Sequence, residues 1–325
     1  MNILVAGGAG YIGSHTVKAI AEAGHHPIVA DNLVKGHDWA VQWGQFEFCD
    51  LADAAALAGI FKRHSIDAVI HFAAYIEVGE SMQDPGKYFR NNVGCSLNLL
   101  DAMQQAGVKH IVFSSTAAVY GVPRQVPMPE SHPKIPVNAY GESKLMVERM
   151  LDWFSVSHGF AAAKLRYFNA AGADPQARIG EDHSPESHLI PLVLAAARGQ
   201  RPHISIYGTD YPTPDGTAVR DYVHVDDLAQ AHLLALARIR ATNTTCEYNL
   251  GTGRGSSVRE IIRTVEEVCG VKVPVQEAPR RAGDPPALVA DPAKAMAELH
   301  WHPAASDLAH IVATAERWYR KHNKL

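Results

Sequence analysis

The chain has 325 residues, 47% of them hydrophobic, and carries a formal charge of -4 with an isoelectric point near 6.5. Length and apolar content support a large α/β core with a smaller second unit, while the mildly acidic balance excludes a general attraction to nucleic acid or to an anionic membrane surface. Cys49, Cys95, Cys246 and Cys269 form no Cys-x-x-Cys pair, so neither a disulfide framework nor a thiolate zinc site is expected, and free thiols point to the reducing cytoplasm.

The apolar opening Ile3-Leu4-Val5-Ala6 runs straight into glycines, which makes it a first strand rather than a signal or membrane segment. Further short apolar runs follow at 27–30, 46–48, 68–72, 110–113 and 163–167, and longer runs of helical composition at 12–23, 52–63, 85–106 and 140–157 fall between them. Gly24 and Gly107 are the expected helix stops. Strands alternating with helices predict an α/β fold, a Rossmann-type doubly wound parallel sheet. After Asn169 the texture changes: 169–190 and 207–217 are rich in Gly, Pro, Asp and His and read as binding loops. Asp226-Asp227 reads as the cap of a helix to Ala237, followed by a strand at 246–251, a helix from Ser257 to Cys269, a strand at 271–275 and two closing helices. The expected division is a dinucleotide-binding domain, 1–168 with return segments at about 219–253, and a smaller mixed α/β C-terminal substrate domain, 169–325.

Gly7, Gly10 and Gly13 punctuate the turn between the first strand and the first helix. Backbone N–H groups there approach a pyrophosphate, and the helix N-terminus adds positive potential. Asp31 ends the second strand eighteen residues past Gly13; a carboxylate there accepts hydrogen bonds from adenosine ribose hydroxyls and repels a 2′-phosphate, favouring NAD over NADP. Its alternative role is that of a turn former in Asp31-Asn32. Asp50-Leu51, after the third strand, stands where the adenine would lie. Eighteen histidines are present, but there is no His-Glu-x-x-His, and His25-His26, His224 with His232, and His300 with His302 lack a matched third ligand, so no metal is expected.

Tyr140-Gly141-Glu142-Ser143-Lys144 carries the chemistry. Residues four apart share a helix face, so the Tyr140 phenol and the Lys144 ammonium address one small volume. Lowering a tyrosine from about 10 to about 7 requires about 4 kcal/mol of preference for the phenolate. A unit charge about 6 Å away at an effective dielectric near 20 supplies roughly 3 kcal/mol, so Lys144 together with a nicotinamide cation suffices. Thr116, at the end of Phe113-Ser114-Ser115-Thr116, is placed to hydrogen-bond the same substrate oxygen.

These segments, with Val78-Gly79-Glu80-Ser81, Asn91-Asn92-Val93, Leu165-Arg166-Tyr167-Phe168-Asn169, the run Asp215 to Tyr222 and the run Pro279 to Asp284, cover nearly the whole chain. In them it resembles the UDP-glucose (UDP-galactose) 4-epimerases of the extended short-chain dehydrogenase/reductase superfamily. The resemblance implies Tyr140 as base, Thr116 as its hydroxyl partner and Lys144 as a ligand of the nicotinamide ribose. It extends the NAD site to Tyr11, Ile12, Asn32, Phe72, Ala73, Ala74, Asn91, Ser114, Tyr167 and Phe168. For the UDP-sugar substrate it implies Asn169, His188, Leu189 and Tyr207, with Arg220 and Arg281 on the diphosphate and Asp284 on the uridine ribose. The implied reaction oxidises the sugar at C4, turns the 4-keto intermediate and reduces its other face.

Three positions depart from the pattern. His188 stands where many relatives carry an amide, Ile76 where some carry a lysine, and Leu288 at the position associated with sugar-pocket width, which leaves N-acetylated and pentose UDP-sugars as alternatives. A nucleotide-sugar dehydratase or decarboxylase shares the cofactor machinery, but Ala117 and Ala118 follow Thr116 where those enzymes carry acids. A non-catalytic NAD-binding scaffold is disfavoured by the intact Thr116, Tyr140 and Lys144. A homodimer is implied through helices 85–106 and 140–157.

Overall fold

The computed structural model describes residues 1–281 and 283–324; Ala282, inside the Pro279 to Asp284 segment, and Leu325 lie outside the described residues. Strands β1 (Asn2–Ala6), β2 (His26–Asp31), β3 (Gln45–Phe48), β4 (Ala68–His71), β5 (His110–Thr116) and β6 (Ala161–Tyr167) come first. The short β7 (Asn169–Ala171), β8 (Ile204–Tyr207), β9 (Val219–Arg220) and β10 (Tyr222–His224) precede β11 (Cys246–Leu250), and β12 (Ser256–Ser257), β13 (Val275–Ala278) and β14 (Ala287–Leu288) follow. Seven of these form one sheet in the order β11-β6-β5-β4-β1-β2-β3, every neighbouring pair parallel. This is the expected Rossmann-type architecture.

Why the strands read as unbroken apolar runs is visible in β1. Ile3 and Val5 join one buried cluster with Val17 and Leu236, whereas Leu4 and Ala6 join another with Leu57 and Leu99. Alternate side chains point to opposite faces, and both faces are covered by helices, so the buried positions Ile3 to Ala6 are all apolar. A third cluster, including Ile190, Ile206, Ile261 and Ile311, forms beside the short parallel pair of β8 and β13. The strand order reverses where β1 lies between β2 and β4, which opens a crevice beyond their carboxyl ends. No described helix is long and apolar enough to cross a membrane.

Several expectations need correction. The helix expected over 85–106 is three pieces, Pro85–Tyr88, a wide π turn Phe89–Gly94 and Cys95–Ala106. Asn92 explains the widening: its side chain accepts from the Tyr75 N–H (2.9 Å) and donates to the Tyr75 carbonyl and Ser143 Oγ (3.0 Å each), pulling the turn toward the crevice. The strand expected at 271–275 begins only at Val275; Pro274 offers no N–H, and its carbonyl accepts from Ile204. The cap of helix Val225–Thr242 is His224, whose ring accepts from the Asp226 N–H at 3.1 Å. Asp227 instead binds the Ala305 N–H and Ser306 Oγ (2.6 Å), fastening the C-terminal segment to this helix. The loop expected over 169–190 contains β7 and the start of helix Leu189–Ala197.

Candidate active site

A cleft of about 780 Å³ lies over the carboxyl ends of the central strands, within the size range of small-molecule sites. One end is built from the glycine turn. Gly10 precedes helix Tyr11–Glu22 without a side-chain cap, so first-turn N–H groups stay open to an anion. Gly7 adopts φ +82°, and a Cβ on Gly13 would stand 2.2 Å from the Gly7 carbonyl oxygen, so the helix sits on the turn only because both side chains are missing. Asp31 is buried on the same wall. Its Oδ2 accepts from the Ala9 N–H (3.0 Å) and its Oδ1 from the Leu33 N–H (2.8 Å), tying the turn to β2. Burial raises its carboxyl above the ordinary value while these N–H groups oppose the shift. Each oxygen keeps a free lone pair, so the turn role and a ribose role are compatible.

Asn32 donates to Asp50 Oδ2 at 3.2 Å, and Asp50, Leu51, Phe72, Ala73, Ala74 and Asn91 continue the wall with Tyr11 and Ile12. An open helix N-terminus with a buried carboxylate at the second strand end fits a dinucleotide.

At the middle of the cleft, Ser114, Thr116, Tyr140, Lys144, Tyr167 and Phe168 meet. The β5 and β6 register sets Thr116 opposite Tyr167, and the Ser114 hydroxyl is bonded to the Tyr167 phenol. Helix Ala139–His158, capped by Asn138 on the Gly141 N–H (2.8 Å), brings in Tyr140 and Lys144. Thr116 Oγ1 accepts from the Ala118 N–H at 3.1 Å, which leaves its own proton to donate. Lys144 is 2% exposed; its Nζ donates to the Ser114 carbonyl at 2.8 Å and lies 4.9 Å over the Phe113 ring.

In the protein alone, burial dominates the electrostatics of this pair. Burial pushes the Tyr140 phenol above its ordinary value, with the Thr116 hydroxyl working against it, and burial lowers the Lys144 ammonium from 10.5 to about 7. Desolvation penalises both charged forms, so the helix pair alone does not make tyrosine a ready base. Enclosing the two groups carries a free-energy cost that a count of their charges leaves out.

The far end carries Asn169, His188, Arg220, Asp284 and Leu288. Arg220 donates to Asp284 Oδ1 at 3.2 Å, and β9 pairs with β14 so that Leu288 stands beside Arg220. Leu288 also packs against the cluster of Val119, Tyr120, Met128 and Leu145, as does Phe168. Leu189, Tyr207 and Arg281 are not on the cleft wall. Leu189 packs into the Ile190 cluster, and Arg281 stacks on the half-exposed Tyr207 ring at 4.0 Å.

Sequence reasoning passed over several residues. Lys35 on the wall donates to Glu77 Oε1 (2.9 Å) and the Ser184 carbonyl (3.3 Å); its signal was a cation in the segment after Asp31-Asn32. Arg166, fully buried, forms a two-point pair with Glu148 (2.8 and 2.7 Å), which also accepts from Ser115 Oγ at 2.6 Å. This pair fastens the ends of β5 and β6 that hold Thr116 and Tyr167. Glu181 and His183 also line the cleft. The histidines weighed from sequence were close pairs, whereas the fold gathers Glu181, His183, Glu186 and His188.

Residues 3–251 match the profile of the NAD dependent epimerase/dehydratase family. The chain belongs to that family. Among its relatives, the UDP-glucose 4-epimerase of Lacticaseibacillus casei is 50% identical over 323 residues, covering 99% of this chain and 98% of the relative. The crystal structure of UDP-glucose 4-epimerase from Brucella ovis in complex with NAD superposes with a TM-score of 0.96 at 49% identity, over 98% of each chain. That of the Bifidobacterium longum enzyme in complex with NAD+ and UDP gives 0.93 at 37% identity, over 100% of this chain and 99% of the other. This family member therefore carries the resemblance drawn from its motifs through the whole fold, and NAD is its cofactor.

Proposed function

We propose that this chain interconverts UDP-glucose and UDP-galactose by inverting C4 of the hexose. The observation that carries the reading is one cleft with an open helix N-terminus and Asp31 at one end, Thr116, Tyr140 and Lys144 at its middle, and Arg220 with Asp284 at the other. NAD, when bound, would supply the hydride acceptor, a positive ring charge and afterwards the hydride donor. Tyr140 takes the O4 proton as C4 is oxidised and returns it after the 4-keto sugar has turned. Thr116 donates its spare proton to the reacting oxygen and orients it. Lys144 would hold the nicotinamide ribose with its remaining donors, and Tyr140, which burial raises, would be lowered by the positive charge brought by the cofactor.

Asn169 and His188, both on the cleft wall, are assigned to the UDP-sugar side, Asp284 to the uridine ribose and Arg220 to the diphosphate. Arg220 suits a diphosphate by its forked, permanent charge, whereas Arg281, stacked on Tyr207 away from the cleft wall, is not assigned to it. Tight hold on the nucleotide with loose contacts to the sugar lets the ring turn without escaping. The division into a cofactor part, 1–168 with 219–253, and a sugar-nucleotide part, 169–325, belongs to the same reading. So do cytoplasmic residence, supported by four free cysteines, and a homodimer, supported by exposed Leu97, Trp153 and Val156 on helices Cys95–Ala106 and Ala139–His158.

The test supplies UDP-galactose deuterated at C4 to the purified protein. UDP-glucose retaining the deuterium at C4 is expected. Loss of the label to water, or a 4-keto-6-deoxy product, overturns the reading.

A further inference from the structure

Beside the residues used for epimerisation, and sharing only His188 with them, one loop gathers four metal-ligating side chains. Glu181, His183, Glu186 and His188 each offer one donor atom, and these atoms all lie within 4.8 Å of one another. His188 Nδ1 stands 2.7 Å from Glu181 Oε1 and 3.2 Å from Glu186 Oε1; His183 Nδ1 stands 3.2 Å from Glu181 Oε1 and 3.7 Å from Glu186 Oε2. A tetrahedral cation with ligands at about 2.0 to 2.1 Å has ligand-to-ligand edges of about 3.4 Å, inside the span of these separations.

The second observation is directional. Glu181 Oε1 and His183 Nδ1 are buried and make no aligned hydrogen bond in spite of these short contacts, and the Glu181 side chain is 7% exposed. A cation shared between them accounts for buried polar atoms that approach one another without aligning. Glu186 is in turn held by the Ser187 and His188 N–H groups at 2.7 and 2.8 Å, the kind of outer support that fixes a ligating carboxylate. Asp182, between the ligands in sequence, turns away to His37 and His322.

We infer that Glu181, His183, Glu186 and His188 form a structural site for a divalent transition cation of the zinc class, which locks the loop forming one wall of the cleft. Two imidazoles and two carboxylates are a borderline donor set suited to Zn²⁺ and, as a probe, to Co²⁺. All four positions are filled by protein, so the cation braces the loop rather than activating water. Ligation of His188 through Nδ1 leaves Nε2 for the cleft.

The test uses the full-length protein, treated with a chelator, dialysed and loaded with Zn²⁺ alone or Co²⁺ alone. Expected are about one retained equivalent of Zn²⁺ by elemental analysis and visible absorption from four-coordinate Co²⁺. Glu181→Gln and His183→Gln should each weaken Zn²⁺ binding at least about 100-fold with far-ultraviolet circular dichroism unchanged, and Zn²⁺ should raise the melting temperature of the parent but not of these variants. His300→Ala, on the exposed surface, should bind as the parent does. Retention below about a tenth of an equivalent by the parent overturns the inference. So does undiminished binding in both glutamine variants, or loss of binding in His300→Ala.

Discussion

Replacing Lys144 with methionine should stabilise the protein at pH 6 and destabilise it at pH 11. The ammonium is 2% exposed, accompanied by the Ser114 carbonyl at 2.8 Å and the Phe113 ring at 4.9 Å. Burial lowers its pKa from 10.5 to about 7. At about 1.36 kcal/mol per unit, the folded state disfavours the charged form by about 5 kcal/mol. Because the folded value lies below the unfolded one, the unfolded chain binds more protons between pH 7 and 10.5, and stability rises with pH across that window. The penalty is complete below pH 7 and absent above 10.5.

Lys144→Met removes the penalty together with the hydrogen bond to Ser114, a loss of about 1 to 2 kcal/mol. The variant should therefore gain about 3 to 4 kcal/mol at pH 6 and lose about 1 to 2 kcal/mol at pH 11. Urea unfolding of both proteins, stripped of NAD and followed by circular dichroism at several pH values, measures the difference. Turnover with NAD restored should fall at least about 100-fold, the usual exchange of stability for function at a buried charge. A stability difference independent of pH, or a variant weaker than the parent at pH 6, would refute the argument from burial.

Two further substitutions test the catalytic assignment. Tyr140→Phe should lower kcat by about 10² to 10⁴ while NAD remains bound, measured by product NMR and by the cofactor released on denaturation; turnover like the parent's would remove Tyr140 as base. Leu288→Ser, beside Arg220 and packed in the Phe168 cluster, should raise kcat/KM for UDP-N-acetylglucosamine relative to UDP-glucose by about 10-fold or more. An unchanged ratio would show that Leu288 does not set the pocket width.

Legibility followed the reach of each interaction. β1, β2, β4 and β5 stood out because the middle of a strand buried on both faces is a run of successive apolar residues, and the glycine turn and Asp31 because a tight turn and a strand end have local chemistry. The two-residue strands β9, β12 and β14 left no trace; each exists through its neighbours, and Val219 pairs with both Ser257 and Ala287. Asp227 reads as a cap because it precedes an Ala- and Leu-rich run, while its actual partners, Ala305 and Ser306, lie far along the chain. The group around Glu181 and His183 follows no helix or strand period, since a loop can turn its side chains to a common point only as a whole. Tyr140 and Lys144 show the same division between local and distant causes. Their shared helix face is a property of spacing four residues apart, but their protonation depends on the enclosing wall contributed by β5, β6 and the 117–120 turn, none of which enters the pentapeptide. A motif therefore identifies which groups meet; the surrounding elements decide which of them carries charge.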